Sequence, residues 1–200
     1  MDNPVLESLR RRMAEIGSGS VESAGGLRAD ASAPSGTPTE PDIGSPVDDP
    51  EYLRAKKRAF NMLGARAHSA SELRTKLVRK EHPPEVVDVL IDRLTASGLL
   101  DDADYAREFV RSRRSSRALS TKALRRELST KGITGRDAES ALAGLDDEDG
   151  VALEVARKKA RSTRGLPEDT RMRRILGMLA RRGFDHGVAM KAARTAIAED

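Results

Sequence analysis

A shift of 51 residues lays this chain onto itself. Leu73 and Leu77 fall on Leu124 and Leu128, and after a second shift on Ile175 and Leu179. Gly132-Ile133 falls on Gly183-Phe184. Leu90, Ile91 and Leu94 fall on Ala141, Leu142 and Leu145, then on Ala192, Ala193 and Ala196. The helix opening each copy aligns less strictly: Ala55 and Ala59 match Tyr105 and Phe109 at a shift of 50. Apolar residues three and four apart are a helical signal, so each copy reads as helix, turn, helix, turn, helix. Amphipathic helices match one another by chance, but a Gly-apolar pair at a fixed offset after Leu-x-x-x-Leu argues against chance. The expected fold is all-α, an elongated array of three tandem three-helix repeats. A unit of this size holds little core of its own, so neighbouring copies are expected to stack or share an interface.

Local signals place the helix ends. Ser69 with Glu72 forms a capping-box pattern, and Pro84 suits a first helical position before Val86, Val87 and Leu90. Gly98 ends that helix, and Asp101 or Asp102 caps the next. Pro167, Glu168 and Asp169 open another, with acids favourably placed in its first turn. The repeats are bounded at 51–100, 101–146 and 147–200. Before them, residues 4–16 carry Val5, Leu6, Leu9, Met13 and Ile16 at helical spacing. Residues 17–50, rich in Gly, Ser, Ala, Pro and Asp, bury too little apolar surface to offset ordering entropy and read as disordered.

Chemistry is scarce. His68, His82 and His186 are isolated, and no phosphate-cradling glycine loop or zinc-binding His pair occurs. With no Cys, thiolate metal sites and disulfides are excluded. The run Asp146, Asp147, Glu148 and Asp149 reads as helix capping, since a hard cation needs a defined oxygen cage. No catalytic residue, metal ligand or cofactor is expected. With no apolar run of about 18 residues and no secretory h-region, the cytoplasm is the expected compartment.

Charge is the informative property. Residues 1–50 hold nine acids against four bases, a balance of −5, which leaves +9 for the remainder of a chain whose net charge is +4. Arg107, Arg111, Arg113, Arg114, Arg117, Lys122, Arg125 and Arg126 form one dense run, opposed within it only by Glu108. A second holds Lys158 and Lys159, then Arg173, Arg174, Arg181 and Arg182, with Arg157, Arg161, Arg164 and Arg171 among them. Such faces are usually just solvated. The shortage of acids for i,i+4 pairing favours a surface for acidic protein or nucleic-acid phosphate instead. The few aromatics sit at core spacing, which argues against base stacking. Ser120 to Leu145 could pass for a helix-turn-helix, but its second helix, expected over Gly135–Leu145, carries Asp137 and Glu139 against Arg136 and would repel phosphate.

Several motifs in order resemble one family. Glu72-Leu73-Arg74-Thr75-Lys76-Leu77 is followed by Gly98-Leu99-Leu100-Asp101-Asp102, Tyr105-Ala106, Phe109-Val110 and Arg113. Leu124 to Leu128 with Lys131-Gly132-Ile133 follows, and then Leu176 to Phe184, ending Arg181-Arg182-Gly183-Phe184. Over residues 52–198 the chain resembles the RecX family. It departs in two places: Ser115 to Leu119 stand where the family often has glycines, and Glu81-His82 stands where the other copies have Gly-apolar. The first makes the loop geometry open; the second is expected to change the turn alone.

The resemblance implies a regulator, mainly an inhibitor, of the RecA recombinase. Such a protein binds RecA and its filament on single-stranded DNA and restrains strand exchange, ATP hydrolysis and coprotease function in DNA repair and the SOS response. The expected partners are RecA and that filament, with weak direct DNA contact and no membrane; the expected state is a monomer. The rival reading is a general DNA-binding architectural protein acting through phosphate contacts. The charge split also raises the expectation that the acidic head masks the basic body.

Overall fold

The computed structural model describes residues 49–200, so the helix expected at 4–16 and the disorder expected before residue 50 lie almost wholly outside the described residues. Among those described there are nine helices and no strand. Contacts divide the described residues into two compact units that part between Leu100 and Asp101.

The first unit holds one repeat. Helix α1 (Pro50–Ala65) opens with the Asp49 carboxylate accepting from the Glu51 amide at 2.8 Å and Pro50 in the first turn, where a missing N–H costs nothing. Helix α2 (Ala70–Val78) is capped by Ser69, whose hydroxyl accepts from the Glu72 amide at 3.1 Å. Helix α3 (Pro84–Ala96) ends through Gly98 at φ 70°. Tyr52, Ala55, Ala59 and Leu63 of α1 pack with Leu73, Leu77, Val87, Leu90 and Leu94, and Leu99 and Leu100 close the core.

The second unit holds two repeats. Helices α4 (Asp102–Arg117), α5 (Thr121–Thr130) and α6 (Gly135–Leu142) form one. Helices α7 (Glu148–Arg161), α8 (Glu168–Arg181) and α9 (His186–Ala198) form the other. The Asp101 and Asp147 carboxylates cap α4 and α7, accepting from Asp104 and Gly150 amides. Helix α6 is shorter than expected and stops at Leu142, because Ala143 turns extended at ψ 138°.

The expectation that a unit of this size holds little core of its own is corrected, while the second and third copies do share an interface. Each repeat buries its own cluster of ten or eleven residues. Alanine at many contact positions lets three short helices approach closely enough to close a core within about fifty residues. Where the second and third repeats meet, the joint is largely polar. The Ser120 amide donates to the Arg182 carbonyl at 3.0 Å, the Thr121 amide to Glu148 at 2.6 Å, and Lys122 pairs with Asp185 at 3.0 Å. Gly183, at φ 85°, sits so close that a Cβ would lie 2.7 Å from the Ala123 Cβ and the Ser120 hydroxyl.

The Glu81-His82 departure leaves the turn intact, contrary to expectation. Glu81 adopts φ 66°, beside 76° and 85° at Gly132 and Gly183. The next residue, His82, Ile133 or Phe184, is buried in every copy and donates its amide to the last leucine's carbonyl. What changes is the side chain: the buried His82 Nδ1 bonds Glu51 of α1 at 2.6 Å. That bond holds the Glu51 carboxyl below its ordinary range. At the other departure, Ala118 takes the left-handed φ of 46° that a glycine would take freely, and the Arg114 guanidinium ties down the adjacent Leu119 carbonyl at 2.7 Å.

Candidate functional site

The first basic run is less free than it reads in sequence. Arg107 pairs with Asp104 at 3.1 Å and Arg111 with Glu108 at 2.8 Å, one helical turn apart. Arg113 and Arg117 share Glu127 of α5, at 2.8 and 3.3 Å, and the Arg113 guanidinium lies 4.9 Å from the Phe109 ring centre. Lys122 reaches Asp185, and Arg125 makes a two-pronged contact with Glu139 of α6 at 3.1 and 2.8 Å. Arg114 spans the Leu119 and Asp147 carbonyls. The shortage of acids is therefore corrected. Asp104 and Glu108 lie on α4 itself at i,i+3 rather than i,i+4 spacing, while Glu127, Asp185 and Glu139 reach their arginines or lysine from other elements, where a count along one helix does not find them. Of this run, Arg126 is exposed and has no carboxylate partner among the described residues. The pairs themselves are largely solvent-facing, and such pairs contribute about 0–1 kcal/mol, so an incoming anion can compete for these arginines.

The second run keeps more of its charge. Arg157 pairs with Glu199, while Arg164 and Arg171 converge on Asp200 at 2.7 and 2.6 Å. Among the described residues no carboxylate pairs with Lys158, Lys159, Arg173, Arg174, Arg181 or Arg182; Lys158, Arg173, Arg174 and Arg181 are exposed. Unpaired cation thus concentrates on α7 and α8 rather than on α4 and α5.

The motif residues have architectural positions. Leu73, Leu77, Leu124 and Leu128 are fully buried, and Leu99, Leu100, Ile133 and Phe184 nearly so. Asp101 caps α4 and Asp102 opens its first turn. Tyr105 and Phe109 stack with ring centres 6.0 Å apart. Gly98, Gly132 and Gly183 supply positive-φ turns.

Two surface grooves lie within the second unit. One, of about 540 Å³, sits between α4 and α6 and is lined by Arg107, Val110, Arg111, Arg114, Ala141 and Leu145 among others. The other, of about 600 Å³, lies between α8 and the start of α9 over Met172, Leu176, Gly177, Ala180, Phe184 and Ala189, with Asp169, Arg173 and His186 at its border. Sequence reasoning missed the second; the signal was present as the stripe Met172, Leu176, Ala180 at four-residue spacing. No cluster of His, Cys, Asp and Glu suited to a metal occurs among the described residues, and no described helix is long and apolar enough to cross a membrane.

Comparison with known proteins bears on the whole array. Three family models match in order, described as the first, second and third three-helix domains of RecX, over residues 55–94, 101–142 and 146–192. The chain belongs to the RecX family. Regulatory protein RecX of Thermobifida fusca (strain YX) is 35% identical over 156 residues, covering 77% of this chain and 84% of its own length. Regulatory protein RecX of Mycobacterium ulcerans (strain Agy99) is 39% identical over 150 residues, covering 74% and 87%. The crystal structure of RecX from Lactobacillus salivarius shares the fold, with a TM-score of 0.63 at 21% identity over 75% of this chain and 98% of that one. A further crystal structure of regulatory protein RecX matches at a TM-score of 0.62 and 25% identity, over 75% and 72%. The fold expected from the repeat, three tandem three-helix domains without strands, is that of the RecX family.

Proposed function

We propose that this protein regulates the RecA recombinase, mainly as an inhibitor, by binding RecA or its filament on single-stranded DNA. It works in the cytoplasm, as a monomer and without catalysis of its own. The observation that carries the reading is the ordered match of all three RecX domains, joined to relatives named as regulatory proteins. The unpaired cations of the third repeat support an anionic partner surface. Three tandem units offer several modest contacts to one polymer, and linked contacts multiply in effect. The decisive measurement is RecA ATP hydrolysis on single-stranded DNA with and without the protein. Inhibition is expected, and an unchanged rate at saturating protein rejects the reading. Direct DNA binding is the rival, favoured by the same cations. Tight binding to naked DNA with a steep salt slope supports it; weak naked-DNA binding beside tight filament binding supports regulation.

A further inference from the structure

The three repeats serve as controls for one another. In the first, Arg74 grips Asp88, fourteen residues on, at 2.6 and 3.0 Å. In the second, Arg125 grips Glu139 across the same fourteen residues. Each bridge ties the middle helix of its repeat to the last, and its side chains are about half exposed or more. The 51-residue shift carries these positions onto Leu176 and Met190. Both members of the bridge are apolar in the third repeat, and both are half-buried rather than covered. Where two copies present a charged pair to water, the third presents aliphatic surface.

The Leu176 part of that surface opens onto a groove. Leu176 lines it with Met172 and Ala180, and Phe184 and Ala189 form its floor. At Gly177 the second repeat has Arg126. A Cβ at Gly177 would meet only the Arg181 guanidinium, 3.5 Å away, so the absent side chain leaves the groove open and places Arg181 beside it. Arg173 borders it, and neither arginine has a carboxylate partner among the described residues; Asp169 is the one acid in the lining.

We propose that this groove docks a partner protein's amphipathic segment, with aliphatic side chains over Met172 and Leu176 and carboxylates facing Arg173 and Arg181. Charge complementarity selects an acidic segment, and the apolar floor selects a peptide over nucleic acid. A phosphate backbone gains nothing from Met172 or Leu176, and the one phenyl ring in the lining, Phe184, is buried and offers no stacking face. Helix-in-groove recognition uses anchors at i, i+4 and i+7 in this manner. The regulator reading supplies the partner's identity; the groove itself does not depend on it.

The test is the double substitution L176R/M190E, which rebuilds in the third repeat the bridge that the other two carry. The probe is a fluorescein-labelled peptide of roughly sixteen residues with leucines at i, i+4 and i+7 and glutamates elsewhere. Binding to the full chain is expected by fluorescence anisotropy, at least about tenfold weaker for L176R/M190E and for a probe with serine in place of leucine. If circular dichroism shows L176R/M190E unfolded, Gly177→Glu replaces it, since only the flexible Arg181 end meets that site. The proposal is overturned if the native chain does not bind the probe, or if the folded variant or the serine probe binds as well. It is equally overturned if sedimentation shows the groove closed by a second copy, in a dimer that the substitution abolishes. The same variant, titrated against RecA filaments on single-stranded DNA, is expected to bind at least about tenfold less tightly. Equal filament binding by variant and native chain overturns the proposal. Failure of the native chain to bind filaments rejects the regulator reading instead, and the probe still decides the groove.

Discussion

Three residues hold backbone or charge states that the surrounding structure has to enforce. Glu81 occupies the left-handed turn that its counterparts Gly132 and Gly183 occupy without a Cβ penalty. Glu81→Gly is expected to stabilise the first unit by about 0.5–1 kcal/mol, the relief being partly offset by a more flexible unfolded chain. Gly183→Ala should cost at least about 2 kcal/mol, because it combines a strained φ with a contact of 2.7 Å to Ala123 and Ser120. Urea unfolding measures both. His68 is buried, and that burial, aided by Arg66 and Lys76 and resisted by Glu72, lowers its pKa from the ordinary 6.5. The unfolded chain therefore binds the proton more readily. The stability that neutral His68 contributes is complete above about pH 6.5 and is lost as pH falls toward the lowered value. Unfolding midpoints measured from about pH 7.5 down to 5 should decline, and His68→Gln should flatten that decline.

At the scale of the helix, leucines set stability and ion pairs set surface character. Leu128→Ala should cost about 2–5 kcal/mol, since the side chain is fully buried, whereas Arg125→Ala should cost less than about 1 kcal/mol. Denaturant titration of both variants against the native chain checks the contrast. The same division explains what could be read from sequence. Ser69, Pro84, Gly98 and Asp101 act through their immediate neighbours, so the helix ends were legible. Leu73, Leu124 and Ile175 repeat at fixed spacing, so the copies were legible too. The bridges Arg74–Asp88 and Arg125–Glu139 depend on two helices lying side by side, and charge counted along one helix cannot reveal them. For that reason the basic run from Arg107 to Arg126 reads as freer than it is, and the apolar exchange at Leu176 and Met190 does not stand out from sequence. The turn at Glu81 is not legible in sequence because a glutamate rarely takes that φ, and only the packed repeat shows that it does.

For the molecule as a whole, the distribution of paired and unpaired cation reweights the three repeats. Lys158, Arg173, Arg174 and Arg181 are exposed without carboxylate partners among the described residues, while Arg107 and Arg111 each have one within a turn. Charge reversal as R173E/R174E is therefore expected to weaken filament binding about tenfold or more, and R107E/R111E by less, measured by anisotropy at fixed salt. Equal losses would place the contact on both repeats alike.

The separate cores bear on how the chain is made. The buried residues of each core are close in sequence, from Tyr52 to Leu100 in the first. Short-range closure is fast, while translation adds about 5–20 residues each second. Each repeat can therefore finish folding as its third helix clears the ribosome, before the next has emerged, which limits the unburied leucine that an emerging chain carries to about one repeat's worth.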